Sequence, residues 1–265
     1  MPDTGDTRIK LDREGNLAII TIARPEKLNA LDYDMVQALE RAAHMVDAMD
    51  AIRCCIITGE GEKSFCAGGD IEAWSKWSPE NFGLAWIRHG HRAFDALARL
   101  RVPLIAALNG HTLGGGLEIA ATADFRVAEP HVKLGLPETG LGIIPGWSGT
   151  QRAVRRFGSQ TVRRMALLGE IFPADEALRL GIVDSVAAKG EGLAAARQMA
   201  AQLTLRGSLA TAVTKMLINA AEGEETERAM ETLAGLAVAD GNELKTGVAA
   251  FREKRKPDFS YMPFP

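Results

Sequence analysis

The sequence predicts an α/β fold in which short strands alternate with helices to about residue 190, followed by a helical C-terminal section. Three observations predict it. Apolar runs of strand length alternate with segments of helical periodicity. Glycine, 27 of 265 residues, gathers in three segments, two of which lie where a strand feeds a helix. Beyond about Ala174 the strand signal nearly vanishes and alanine-dense helical patterns take over.

Taken in order, Ile9 to Asp12 and Leu17 to Ile22 are alternating apolar runs separated by the turn signal Glu14-Gly15-Asn16, and read as a β-hairpin. From Asp32 to Asp50 the period changes. Met35, Val36, Leu39, Ala42, Ala43, Val46 and Met49 recur three and four apart, which gives a helix one apolar face, and Asp32 is placed to cap it. Cys54 to Thr58 and Leu104 to Leu108 have the length and composition of buried strands, and the spacing between them predicts helices near 70–78 and 83–101. An Asn109-Gly110 turn, a triple glycine and a helical run from Leu117 come next, and Phe125 to Ala128 reads as strand. After Ala174 the remaining strand signal is Ile182 to Val186; helical patterns then lie near 192–205, 208–222, 225–239 and 243–254. Small side chains, as in LAAARQMAA from Leu193 to Ala201, let these helices pack closely. The expected organisation is a core over residues 1–190 that carries the chemistry, and a helical section over 191–265.

A formal charge of −3 and a pI near 6.0 supply no basic field for nucleic acid or an anionic membrane. Cys54, Cys55 and Cys66 are an odd set without a CxxC, which rules out a disulfide scaffold. His44, His89, His91, His111 and His131 form neither HExxH nor a Cys/His ligand pattern, so no metal site is expected. The N-terminal MPDTGDTRIK lacks the apolar stretch of a signal peptide, and no run approaches the ~18 apolar residues of a membrane span. A cytoplasmic location is therefore expected.

The glycine segments are Gly59 to Gly69, Gly110 to Gly116 and Gly135 to Gly149. A Walker A loop fails because Glu62 stands where its last glycine should be, and a carboxylate there repels phosphate. A dinucleotide fingerprint fails because Gly140, Gly142 and Gly146 are spaced GxGxxxG with Pro145 inside. Two uses remain open: glycines that permit tight turns and close helix–sheet packing, or glycines that let backbone N–H groups approach a ligand. For the second use, Ala67-Gly68-Gly69 and Gly114-Gly115-Gly116 each follow a strand and precede a helix, where the first N–H groups have no intrahelical acceptor. Two such ends aimed at one oxygen make an oxyanion hole. Acid favours this use: Glu118 stands in the first turn of an otherwise apolar helix, and Glu138 sits among apolar residues and glycines. Burying such a carboxylate without compensation is costly.

Six strings, in order along nearly the whole chain, resemble the crotonase (enoyl-CoA hydratase/isomerase) superfamily. They are ARPEKLNALD (Ala23 to Asp32), SFCAGGDI (Ser64 to Ile71), NGHTLGGGLEIA (Asn109 to Ala120), ADFRVA (Ala123 to Ala128), LPETGLGIIPGWSGTQR (Leu136 to Arg152) and AFREKRKPDF (Ala250 to Phe259). The resemblance implies a crotonase-like spiral of ββα units with a helical C-terminal section that forms trimers, often paired into hexamers. It also implies an enzyme that holds the carbonyl oxygen of an acyl-CoA thioester with the N–H groups of Gly69 and Gly115. Enoyl-CoA hydratases carry glutamate at the positions of Glu118 and Glu138, so the implied reaction is addition of water across the 2,3 double bond of a short- or medium-chain 2-enoyl-CoA. Glu118 would assist attack at Cβ and Glu138 would supply the proton at Cα, with no cofactor beyond the CoA of the substrate. The alternatives are an enoyl-CoA isomerase or another acyl-CoA-processing relative, and, outside enzymes, an RNA-binding relative.

By the same resemblance, Arg24, Lys27, Lys254 and Lys256 would face CoA phosphates and adenine; a solvated basic face is the competing reading. Backbone groups of Ala67, Gly69 and Gly115, with Asp70 and Ile71 beside them, would line the CoA path, Asp70 also capping its helix. Many hydratases have lysine after this DI pair; here Glu72 stands there. Trp74, Trp77 and Trp147 either pack in the core or narrow the acyl pocket.

Overall fold

The computed structural model describes residues 3–239 and 242–260. It divides at residues 213 and 214 into two compact units.

The first unit is built on two sheets. Strands β1 (Ile9–Glu14) and β2 (Leu17–Ile22) form the expected hairpin, closed by Gly15 at φ +62°, where a side chain would be strained. Helix α1 (Tyr33–Asp47) follows, and the Asp32 carboxylate accepts the Met35 N–H as its cap. Strand β3 (Cys54–Gly59) lies parallel to β2. Its alternation sends Cys54 and Ile56 to one face and Cys55 and Ile57 to the other, so the adjacent cysteines point apart. All three cysteines are buried thiols. The short strand β4 (Ser64–Cys66) leads into α2 (Ile71–Trp74), α3 (Pro79–Asn81), a π-helical turn at Phe82–Ile87 and α4 (Arg88–Ala98).

The pattern then repeats. Strand β5 (Leu104–Leu108) is followed by β6 (His111–Leu113) and α5 (Gly115–Ala120). Strand β7 (Phe125–Ala128) is followed by β8 (Lys133–Gly135) and a 3₁₀ turn at Glu138–Leu141. Helices α6 (Arg152–Phe157) and α7 (Ser159–Leu168), strand β9 (Phe172–Pro173), helix α8 (Ala174–Arg179) and strand β10 (Ser185–Val186) complete this part. The large sheet runs β1-β2-β3-β5-β7-β10, parallel beyond the hairpin, and the small one runs β4-β6-β8-β9. Each long strand thus hands the chain to a neighbouring short one and then to a helical turn. This is the spiral of ββα units.

The main core fills one face of the large sheet with α1, α4 and the small sheet. Helix α9 (Gly192–Leu203) covers the other face, laying Ala196 and Ala200 on Ile19, Ile56, Ile105 and Val127. The second unit holds the end of α10 (Ser208–Ala221), α11 (Thr226–Ala239) and α12 (Asn242–Arg252).

Three elements differ from the sequence reading. The helix expected over 70–78 stops at Trp74, and Pro79 starts a new one after Ser78 caps it. Of Ile182 to Val186 only two residues pair as strand, because the Ile182 and Val183 N–H groups turn back to the Ala177 carbonyl at the end of α8. The small sheet was not foreseen, since strands of two or three residues carry no readable period.

Candidate active site

Strands β4, β6 and β8 are adjacent and parallel, so their C-terminal ends bring three loops to one edge. Those loops carry Gly69, Gly115 and Glu138. The first two touch: a Cβ at Gly68 would lie 3.1 Å from the Gly115 nitrogen and 3.2 Å from the Leu113 carbonyl. Gly68 has φ +99° and Gly114 φ +54°, so both turns need glycine conformationally as well as sterically. The N–H groups of Gly68 and Gly114 are taken by Cys66 Sγ and the Gly135 carbonyl, and that of Asp70 by the Leu31 carbonyl. Among the described residues those of Gly69 and Gly115 have no acceptor.

Indole rings stand against these two glycines. A Cβ at Gly69 would meet Trp86 at 2.8 Å and Trp74 at 3.3 Å, and one at Gly115 would meet Trp147 at 2.8 Å. Trp86 and Trp147 pack at 4.7 Å between centroids, and the Trp147 Nε1–H donates to the Trp86 carbonyl at 3.2 Å. Trp74 packs on Phe82, and Trp77 lies between Trp86 and Tyr33. Trp147 is therefore core and pocket wall at once. Trp86 carries no sequence signal of its own, whereas the place of Trp147 has one. Gly90, a poor helix residue inside a helical run, has no room for a side chain, because its Cβ would fall 2.0 Å from the Trp147 ring.

Beside the indoles is a cleft of about 40 Å³ lined by Glu118, Glu138, Trp86, Ile143, Ile144 and Trp147. Glu118 projects from the first turn of α5 and is 2% exposed; its Oε1 accepts the N–H groups of Trp147 at 2.7 Å and Gly149 at 2.6 Å. Glu138 is 8% exposed, and its Oε2 has no hydrogen-bond partner. Burial, then repulsion from Glu138, pushes Glu118 well above the usual carboxylate range, against the pull of its two amide donors. Burial does the same to Glu138, opposed by its own backbone N–H. Two carboxyls that resist ionisation share one cleft; the amides ease charge on Glu118, while its deeper burial and the neighbouring Glu138 oppose it more strongly than burial opposes charge on Glu138.

Outside the glycine loops lies a groove of about 430 Å³ lined by Leu28, Lys63, Ala67, Leu113 and Lys189 among others. Residues 67 and 113 face this groove while 69 and 115 face the indoles, so the glycine loops stand between groove and cleft. Asp70 caps α2 through the Glu72 N–H and pairs with Arg24 at 2.9 Å. Arg24 also donates to the Ala30 carbonyl and lies 3.6 Å from Asp32, so its charge is met by carboxylates within the fold. Lys27 pairs at 2.6 Å with Glu72, the residue that departs from the family pattern. Ile71 is about half exposed. Lys254 and Lys256 are exposed residues of the second unit.

Residues 12–261 match the family model for enoyl-CoA hydratase/isomerase. The chain belongs to the enoyl-CoA hydratase/isomerase family. Among its relatives, crotonyl-CoA hydratase of Syntrophomonas wolfei is 37% identical over 257 residues, which is 95% of this chain and 97% of that one. The short-chain-enoyl-CoA hydratase of Clostridium acetobutylicum is 36% identical, covering 93% and 95%. The crystal structure of an enoyl-CoA hydratase from Bacillus anthracis superposes with a TM-score of 0.80 at 30% identity, over 95% and 98% of the two chains. The α/β spiral and the helical C-terminal region are thus those of an enzyme family.

Proposed function

We propose that the protein hydrates short-chain 2-enoyl-CoA thioesters at the cleft between Glu118 and Glu138. The observation that carries the reading is the pairing of one buried carboxyl held by two amides with a second whose buried Oε2 has no partner. Two relatives named for short-chain or crotonyl-CoA hydration support the substrate class. So does the small size of the cleft, about 40 Å³, beside Trp86 and Trp147.

In this reading the pantetheine lies along the outer groove and the thioester carbonyl meets the Gly69 and Gly115 N–H groups. Glu118, ionised, takes a proton from water as its oxygen bonds to Cβ. The electron pair of the double bond moves onto the thioester oxygen, where donors that bind the developing charge more tightly than the neutral carbonyl lower the barrier. Collapse of the enolate draws the Glu138 proton to Cα. Glu118 is left protonated and Glu138 ionised, and proton exchange through water restores the pair. The reaction requires no metal or prosthetic group.

Incubation with crotonyl-CoA tests the reading: loss of enoyl absorbance with gain of one water in the product is expected. An unchanged mass with a moved double bond makes the protein an isomerase instead. We further infer self-association into trimers or hexamers. The exposed Leu217, Ile218, Met230, Val238 and Phe251 of the second unit support this reading. Among the described residues no helix is long and apolar enough to cross a membrane.

A further inference from the structure

Glu118 receives its two hydrogen bonds from the N–H groups on either side of Ser148, and both fall on the same oxygen. Backbone turned out of its ordinary regions gathers neighbouring N–H groups on one acceptor, as in anion-binding nests. Ser148 is turned in this way at φ +90°, a conformation that glycine adopts freely and serine does not. Something must hold it there. Its carbonyl is fixed by the N–H groups of Gln151, Arg152 and Ala153 at the start of α6. Its hydroxyl, buried with the rest of the residue, meets His91 Nδ1 at 3.1 Å and the Gln151 amide at 3.4 Å.

His91 stands on α4 beside Gly90, whose missing side chain admits the Trp147 ring, and one turn before Asp95, which holds Arg152 at 2.7 Å. Three contacts from one helix thus grip the loop at residues 147, 148 and 152. The middle one bears on the strained residue. We propose that His91 is a positioning residue that, through the Ser148 hydroxyl, locks the backbone in the geometry that aims two amides at Glu118. The proposal rests on Glu118 being the group that activates water. His91 itself touches no reacting atom. The charged neighbours of the device are Asp95 and Arg152 beside His91, Glu138 and Arg152 beside Glu118, and Arg88, His89 and Arg92 along the open side of His91.

Three variants separate positioning from simple folding. His91→Ala and Ser148→Ala each remove the bond and leave a strained L-residue at 148. Both should lower kcat for crotonyl-CoA by about 10- to 100-fold with KM nearly unchanged, as a misaimed catalytic group does. They should also move the acidic limb of the kcat–pH profile upward. Adding Ser148→Gly to His91→Ala supplies a residue that needs no lock, so the double variant should recover most of the lost kcat. Failure of the glycine to rescue, with the fold intact by circular dichroism, overturns the proposal. The Glu118 carboxyl resonance, assigned against Glu118→Gln and titrated by ¹³C NMR, gives the same answer without turnover. Its midpoint should rise in His91→Ala and return in the double variant; an unmoved midpoint overturns the proposal. A wild type that hydrates no enoyl-CoA while the midpoint moves as described overturns the proposed function and leaves the positioning device standing.

Discussion

The two sides of the glycine loops are built on different principles. The outer groove is lined by Leu28, Ala67 and Leu113 with Lys63, Lys189 and Glu62 among its walls; these charged side chains are exposed, and Lys189 lies 3.7 Å from Glu62. The inner cleft is walled on one side by indoles and on the other by Ile143 and Ile144, and its two ionisable groups are buried carboxyls. A ligand that fits both is charged and long at one end, small and apolar at the other, with the atom that must be polarised in between. Exposed charges contribute weakly and are screened by salt. Donors and acids in a dry site act at nearly full strength on charge that develops there.

The contrast is broken most severely at the acids. Glu118→Gln or Glu138→Gln should each reduce kcat for crotonyl-CoA by about 10²- to 10⁴-fold, as loss of a positioned acid or base does. Thioester binding, followed by calorimetry with a saturated acyl-CoA, should persist. Next comes the donor side. Gly115→Ala places a methyl 2.8 Å from the Trp147 ring. The displaced N–H should cost roughly 10²-fold in kcat; wild-type turnover in this variant argues against an oxyanion role for the glycine loops.

Trp86→Ala sharpens the size of the cleft. Truncating a buried tryptophan destabilises by about 3–5 kcal/mol, and the space opened should raise kcat/KM for an eight-carbon enoyl-CoA relative to crotonyl-CoA by roughly tenfold. An unchanged ratio assigns chain-length control elsewhere. The acids also link stability to pH. A carboxyl whose folded pKa is raised binds its proton more tightly in the folded state, so its contribution is full below the ordinary value of 4.5 and is lost as pH rises through the raised value. The melting temperature should therefore fall between about pH 5 and about pH 8, and less so in Glu118→Gln. The smallest effect belongs to the groove: Lys63→Ala should raise KM by about two- to fivefold, and less at high salt.

Much of this was legible in the sequence for reasons that can be named. Leu104 to Leu108 and Phe125 to Ala128 are strands with the expected limits because each is an apolar run between turn signals. The helix with Asp32 as its cap was readable from spacing and one carboxylate. Glu118 and Glu138 stood out as acids in apolar surroundings, and the fold buries both in one cleft. The small sheet was not legible, because β4, β6 and β8 are defined by each other rather than by any period of their own. Nor was the His91–Ser148 contact, in which residues 57 positions apart meet through a hydroxyl whose value lies in its backbone angle.

The most direct measurement of the central claim is the mass and double-bond position of the product formed from crotonyl-CoA by the wild type beside Glu118→Gln and Glu138→Gln. A 3-hydroxyacyl-CoA, heavier by one water and nearly absent with either variant, is the result expected. A hydrated product formed at undiminished rate by either variant contradicts the account.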